Sequence, residues 1–100
     1  MAQLTVVYWR DIPAQVTVKA GRRNAKVQLS ERFEKAIDRA AMRAKLTGTD
    51  AYLEQWHRRE AIECGDDLEA EAGAAARRLE ADYDDARLVA LVAAGGQEPA

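Results

Sequence analysis

The sequence has few of the residues that most catalytic and metal-binding sites use. It contains one cysteine, Cys64, and one histidine, His57, in 100 residues. A single cysteine excludes a disulfide within the chain, and one His with one Cys is too few ligands for a structural zinc site. No glycine-rich phosphate loop follows a predicted strand and precedes a helix. We therefore predict a non-catalytic protein with no metal and no cofactor.

Long apolar runs are also missing. No segment approaches the roughly 20 apolar residues that a membrane-spanning helix needs. The first ten residues reach Arg10 after an apolar run that is too short for a signal peptide. We therefore expect a cytoplasmic protein that does not contact a membrane.

Charge is distributed unevenly along the chain, although the formal net charge is only −2. Residues 1–30 carry five basic side chains and one acidic one, whereas residues 60–100 carry three basic and eleven acidic ones. Such a split indicates either a basic face for a partner or two halves of one fold that attract each other. We favour the second interpretation.

The hydrophobic pattern changes from strands in the N-terminal part to helices in the C-terminal part. Residues 4–10, 15–20 and 25–29 show the β-branched content or the alternation of strands. Helical spacing then predicts a helix from Ser30 to about Leu46, a short helix with Tyr52, Leu53 and Trp56, a third helix over Leu68–Tyr83 and a last short helix over 86–94. We predict one α+β domain over residues 1–96, a small antiparallel sheet of about three strands packed with three to four helices, and a frayed tail at 97–100.

Polar and glycine residues mark the helix ends. Ser30, Thr49 or Asp50, and Asp84 or Asp85 are predicted N-caps, and Asp66 with Glu69 resembles a capping box. The predicted stops are Gly48 and the pair Gly95-Gly96.

The stretch "VVYWRDIPAQV" concentrates aromatic, charged and proline residues at the end of an apolar strand. One interpretation is a buried strand end, in which Trp9 covers the helices and Arg10 pairs with an acidic helix. The other is a partner-binding surface, because aromatic residues beside an arginine are typical interface anchors. The residues alone leave both open. The predicted partner-binding residues are Tyr8, Trp9, Arg10, Asp11, Ile12, Pro13 and Gln15.

Cys64 is the candidate reactive thiol. It precedes Gly65 and a predicted helix start, where backbone N–H groups would favour the thiolate. The alternative is that Cys64 is a small apolar side chain packed beneath a turn. His57, in the charged helical stretch "QWHRRE", is expected to have no special role.

Nucleic-acid binding is a further hypothesis. Five basic residues lie near the two aromatic residues of the strand end: Arg10, Lys19, Arg22, Arg23 and Lys26. The stacking motif of a sheet-type RNA binder is missing, however, and the net charge is negative. We therefore rank RNA binding below a protein partner.

Four strings carry a resemblance to a known family: "VVYWRDIPAQV", "KVQLSERFEKAIDRAAMRA", "DAYLEQW" and "CGDDLEAEA". The chain resembles the small bacterial virulence factor proteins from about Gln3 to Gly95. Their domain is similar to one in the conserved virulence factor C proteins, beside a NifU-type N-terminal domain and helical repeats. The resemblance implies no catalytic residues. It does imply an association with folate and corrinoid one-carbon enzymes, including methylenetetrahydrofolate reductase.

These observations lead to three hypotheses. The first is a non-catalytic accessory module that docks a protein partner through the YWRDIPAQ segment and the adjoining helix face. The second is an accessory subunit in folate or corrinoid one-carbon or cofactor metabolism, with Cys64 or Arg10 contacting the ligand. The third is a weak RNA-binding module. The sequence does not decide whether the protein forms a homodimer.

Overall fold

A computed structural model describes residues 2–46, 50–59 and 61–98, which form an antiparallel five-stranded sheet and four helices. The elements are β1 (Ala2–Trp9), β2 (Ile12–Ala20), β3 (Arg23–Gln28), α1 (Glu31–Arg43), α2 (Asp50–Glu54), β4 (Trp56–Arg58), β5 (Ile62–Cys64), α3 (Leu68–Asp82) and α4 (Asp85–Ala93). The predicted α+β class is confirmed. The sheet has five strands rather than about three.

The two additional strands lie along one edge of β1. β4 pairs with residues Val7–Trp9 of β1, and β5 pairs with residues Ala2–Leu4. Each has only three residues, too few for an alternating pattern to be visible in the sequence. The predicted second helix ends at Glu54, so Trp56 and His57 lie on a strand. Pairing satisfies backbone groups of β1 on the side that β2 leaves open.

Strands β1, β2 and β3 pair in chain order, and their alternation gives the sheet one apolar and one polar face. On the apolar face, Val16 lies between Val6 and Val27. α3 packs on this face with the buried residues Leu68, Ala72, Ala75 and Ala76. The polar face carries Thr5, Gln15, Thr17, Lys19, Asn24, Lys26 and Gln28.

A second part of the core lies where β1 turns into β2. The register leaves Ala14 unpaired, because Val7 is opposite Gln15 and Tyr8 is opposite Pro13. This β-bulge places Ile12 opposite Trp9, and both residues are fully buried. α1 contacts β2 and α4. It buries the stripe that the sequence predicted, Phe33, Ala36, Ile37, Ala40 and Ala41.

The N-caps observed in the structure agree with those predicted from the sequence, with two differences. Ser30 is the N-cap of α1, but its hydroxyl makes no capping bond and instead donates to Glu80 Oε1 at 2.8 Å. The cap of α3 is Asp67 rather than Asp66, and its side chain accepts from the Ala70 N–H. The cap of α4 is Asp84.

Residues with positive φ follow α1 and α4. α1 ends at Arg43, before Lys45 at φ 61°, whereas the predicted stop Gly48 and the alternative cap Thr49 lie outside the described residues. The predicted stop after α4 is confirmed, because Gly95 and Gly96 have φ 71° and 93°. Pro99 and Ala100, in the predicted frayed tail, lie outside the described residues.

Candidate functional site

Three residues of the predicted partner-binding stretch are buried. Trp9 and Ile12 have no exposed surface and Pro13 has less than 2%. The indole N–H of Trp9 donates to the Tyr52 carbonyl oxygen at 3.0 Å, which satisfies its one polar atom. These three residues stabilise the fold and offer no surface to a partner, so the predicted docking surface is reduced to the accessible residues of the stretch.

Arg10 and Asp11 form the turn between β1 and β2. Arg10 has φ 52°, in the left-handed region that favours glycine. Its N–H donates to the Gln55 carbonyl oxygen at 3.0 Å, and the Asp11 N–H donates to the Gly96 carbonyl oxygen at 2.8 Å. The turn is therefore held by two segments that are far from it in the sequence.

The Arg10 guanidinium has neutral partners, which corrects the expectation that it pairs with an acidic helix. Its Nε donates to Gln55 Oε1 at 3.1 Å, and its Nη1 donates to the Gly95 carbonyl oxygen at 3.0 Å. The guanidinium carbon lies 5.4 Å from the centre of the Trp9 ring. The side chain joins the turn to the start of β4 and the end of α4.

Both carboxylate oxygens of Asp11 also have partners within the chain. Oδ1 accepts from Arg59 Nη2 at 3.0 Å, and Oδ2 accepts from the Glu98 N–H at 2.6 Å. Glu98 Oε1 in turn accepts from Arg87 Nη2 at 2.8 Å. Asp11 therefore holds the C-terminal residues and β4 against the turn.

His57 lies beside this turn. Its Nε2 is 2.6 Å from the Arg10 carbonyl oxygen. Because a carbonyl oxygen only accepts, Nε2 carries the proton, and Nδ1 is an acceptor in the neutral ring. The ring stacks on Tyr8 with centroids 5.8 Å apart, and the Arg59 guanidinium lies 4.3 Å from the Tyr8 ring centre.

The side chains around the turn line a shallow polar depression of about 560 Å³. We name this surface the turn patch, and its residues are Arg10, Asp11, Glu54, Gln55, His57, Gln97 and Glu98. The sequence prediction contained only the first two. The other five come from α2, β4, the residue between them and residues 97–98, and no local pattern indicates that these segments meet. Gln15 lies elsewhere, on the polar sheet face, where its Nε2 donates to Thr17 Oγ1 at 3.3 Å.

Tyr8 faces the α3 side of the sheet, next to Tyr83. Burial raises the pKa of Tyr83 to about 12, with further contributions that include Tyr8. The Arg87 guanidinium covers the Tyr83 ring at 3.9 Å. Tyr8 therefore belongs to the packing behind the turn patch.

The family model for the description "Virulence factor" matches residues 7–92, from the middle of β1 into α4. This chain belongs to the virulence factor family. The resemblance read from the sequence is confirmed. No curated protein and no solved structure matches the chain.

Cys64 of this virulence factor family member lies on β5, opposite Ala2. Burial raises the pKa of its thiol, and the Glu71 and Asp66 carboxylates raise it further. This direction is opposite to the one expected from a position at a helix start, because α3 begins only at Leu68. The thiol therefore ionises less readily than an ordinary cysteine.

The single histidine and the single cysteine are far apart. They pair with Tyr8 and Ala2 of β1, which are separated by six residues, or about 20 Å of strand. Within residues 2–46, 50–59 and 61–98, no three His, Cys, Asp or Glu side chains converge as metal ligands. No helix in those ranges has the length and apolar content to cross a membrane.

Ion pairs join the C-terminal helices to the middle of the chain rather than to its N-terminal basic residues. Arg32 pairs with Glu80 at 3.0 Å and with Asp85 at 3.3 Å. Among the described residues, no ion pair involves the basic residues of the first hairpins, Lys19, Arg22, Arg23 and Lys26. The ion pairs of Arg32 therefore do not link the basic residues 1–30 to the acidic residues 60–100, and Lys19 and Lys26 stay exposed on the polar sheet face.

Proposed function

We propose that this protein is a non-catalytic accessory module that docks a protein partner through the turn patch. The observation that supports the proposal is the Arg10–Asp11 turn, where an arginine keeps a positive φ under backbone and side-chain hydrogen bonds to two distant segments, Gln55 and Gly95-Gly96. Strained residues that the surrounding structure holds in place cluster at functional sites. The turn therefore presents its charged side chains in one preformed arrangement.

Preformed geometry favours binding because little conformational entropy is lost when a partner docks. Arg10 and Asp11 are half-buried and tied by hydrogen bonds to their neighbours. Around them, the side chains of Glu54, His57 and Gln97 are exposed. The turn patch thus combines a rigid centre with polar groups at its rim, as protein interfaces do.

The arrangement of chemical groups supports binding rather than catalysis. His57 Nε2 is engaged by the Arg10 carbonyl oxygen, and the Cys64 thiol lies at the other end of β1 with a raised pKa. A catalytic pair of cysteine and histidine requires direct hydrogen-bond reach. The second hypothesis, in which Cys64 acts as a reactive thiol toward a cofactor, loses support for the same reason.

A co-purification with matched charge variants tests the proposal. Glu54→Lys with Gln97→Lys alters the rim of the turn patch, and neither side chain has a hydrogen bond or ion pair to another described residue. Asp38→Lys with Gln28→Lys makes the same change of charge at exposed residues outside the patch. We expect the control variant to retain the partners of the unaltered protein and the patch variant to lose at least about 90% of them. The change replaces the Glu54 carboxylate with a positive charge and adds a second one, which repels a partner that places basic groups opposite this rim.

Two results would contradict the proposal. One is equal recovery of the same proteins by both variants, and the other is no protein retained specifically by the unaltered chain. A nuclease-treated lysate, run in parallel, tests the weak RNA-binding alternative, which Lys19, Lys26 and Arg58 on the polar sheet face support. Recovery that disappears after nuclease treatment would favour RNA over a protein partner.

A further inference from the structure

The surface between α3 and the β5 edge of the sheet is apolar and uncovered. α3 packs mainly on β2 and β3, so Leu4 and Val6 of β1 are only partly buried. Ile62, opposite Leu4 on β5, is 65% exposed. Ala75 and Leu79 of α3 face these residues across a groove of about 430 Å³, which we name the α3 groove.

Two carboxylates, those of Glu71 and Asp82, lie at the rim of the α3 groove, with Arg78 as the basic residue of its lining. Glu63 also lines the groove, but it is opposite Gln3, so its side chain lies on the polar face of the sheet. The Glu71 carboxylate lies over Gly65, where an added Cβ would come within 2.7 Å of its Oε1. Among the described residues, neither Glu71 nor Asp82 takes part in an ion pair. The rim is therefore complementary to positive charge, and the floor is complementary to apolar side chains.

The length of the groove suits a short helix. Its α3 wall runs from Glu71 to Asp82, which is about 16 Å at the rise of an α-helix, or three turns. Ala75 and Leu79 are four residues apart and lie on the same face of α3. An amphipathic partner helix places its own apolar residues with this spacing along such a groove.

We propose that the α3 groove binds an amphipathic helix of a partner protein, with apolar side chains on Leu4, Ile62 and Leu79 and flanking Lys or Arg side chains beside Glu71 and Asp82. The proposal goes beyond the turn patch, since the two surfaces share no residue.

Two synthetic helical peptides of about 14 residues, or four turns, test this proposal. They share the same leucine positions, and one carries lysine where the other carries glutamate. We expect NMR titration of the full chain to shift the amide signals of Leu4, Ile62 and Leu79 with the lysine peptide, which should bind roughly tenfold or more tightly than the glutamate peptide at low salt.

Two serine variants show whether the groove is the binding surface. Ile62→Ser removes the exposed apolar side chain of the groove and should weaken binding of the lysine peptide roughly tenfold. Val89→Ser is the matched control, because Val89 is 68% exposed and lies on α4, beside Arg32, Lys35 and Arg39. It should leave the affinity unchanged. Both side chains are largely exposed, so neither change threatens folding.

Several outcomes would overturn the proposal: no binding of the lysine peptide, equal affinity for the two peptides, or equal losses in the two serine variants. Shifts of the same signals on concentrating the chain alone would identify a second copy as the occupant and would also overturn it. The Glu54→Lys, Gln97→Lys variant should bind the lysine peptide as the unaltered chain does. Failure of the turn-patch proposal is thereby distinguishable from failure of this one.

Discussion

Arg10 combines a backbone conformation that costs free energy with side-chain contacts that offset the cost. A positive φ costs a residue with a Cβ about 1 kcal/mol or more. In return, the guanidinium donates to Gln55 and Gly95 and covers the Trp9 ring. A glycine would remove the strain and the contacts together.

Comparing alanine and glycine at position 10 separates these two effects. We expect Arg10→Ala to lower the free energy of unfolding by about 2 kcal/mol, because the charged hydrogen bonds are lost while the strain remains. Arg10→Gly should be more stable than Arg10→Ala by about 1 kcal/mol. Denaturant unfolding measures both values.

Arg22 provides the control for this comparison. It is exposed and is not among the residues with positive φ, so Arg22→Gly should be less stable than Arg22→Ala because glycine has the more flexible unfolded chain. If the glycine variant were also less stable than the alanine variant at position 10, the positive φ of Arg10 would not cost free energy, and the prediction would be wrong.

At the scale of elements, the start of α1 is tied to the end of α3 through Glu80. Its carboxylate accepts from the Ser30 N–H at 2.7 Å and from the Ser30 hydroxyl at 2.8 Å, and it pairs with Arg32 at 3.0 Å. Burial alone would raise the pKa of Glu80, but these hydrogen bonds outweigh it and the pKa is lowered. The ionised form is therefore the one that stabilises the fold.

Glu80→Gln should destabilise the protein in a pH-dependent way. A lowered pKa in the folded state means that the contribution is complete above the ordinary value of 4.5 and is lost as the pH falls through the folded value. We expect a loss of about 1 kcal/mol at neutral pH, and a smaller difference from the unaltered chain in acid. Urea unfolding across this pH range measures it.

Asp85→Asn is the matched control for Glu80→Gln. Asp85 pairs with the same Arg32, but its side chain is 90% exposed. We expect a change of no more than about 0.5 kcal/mol, as for most exposed ion pairs. Equal losses for the two variants would show that the hydrogen bonds between Glu80 and Ser30 contribute nothing beyond the charge of Glu80.

At the scale of the whole molecule, Gly96, after α4, packs against Trp9 at the end of β1. Gly96 has φ 93°, and a Cβ added there would lie 2.7 Å from Trp9 Cζ3. Trp9 is fully buried and cannot move aside without disturbing the packing around it. Gly96 is thus the position where residues 9 and 96 must approach closely.

Gly96→Ala should therefore be strongly destabilising, by about 3 kcal/mol or more, through backbone strain and overpacking against Trp9. Gly21→Ala is the control, since Gly21 also has positive φ, 61°, but an added Cβ would meet nothing within 4 Å. We expect a loss of about 1 kcal/mol there, from backbone strain alone. Thermal or denaturant unfolding compares the two, and similar losses would contradict close packing of Gly96 on Trp9.

The parts of the fold that could be predicted are those with a local signal. The stripe of α1 repeats with helical period over three turns, and the alternation in β2 and β3 persists over five or six residues. Three-residue strands carry no such signal, so the sequence indicated a helix at Trp56 and His57 where the structure has β4. These residues pair because β1 lies beside them, which is a property of the tertiary structure.

For the site, the sequence by itself determined that Tyr8 to Pro13 is the most unusual stretch of the chain, that it ends a strand, and that the chain belongs to the virulence factor family. Only the tertiary structure decided which of these side chains are accessible. Burial depends on segments distant in sequence, here α2, β4 and Gly95–Glu98, which cover Trp9 and surround Arg10. The α3 groove had no sequence signal for the same reason: it exists because α3 packs over β2 and β3 and leaves β1 uncovered.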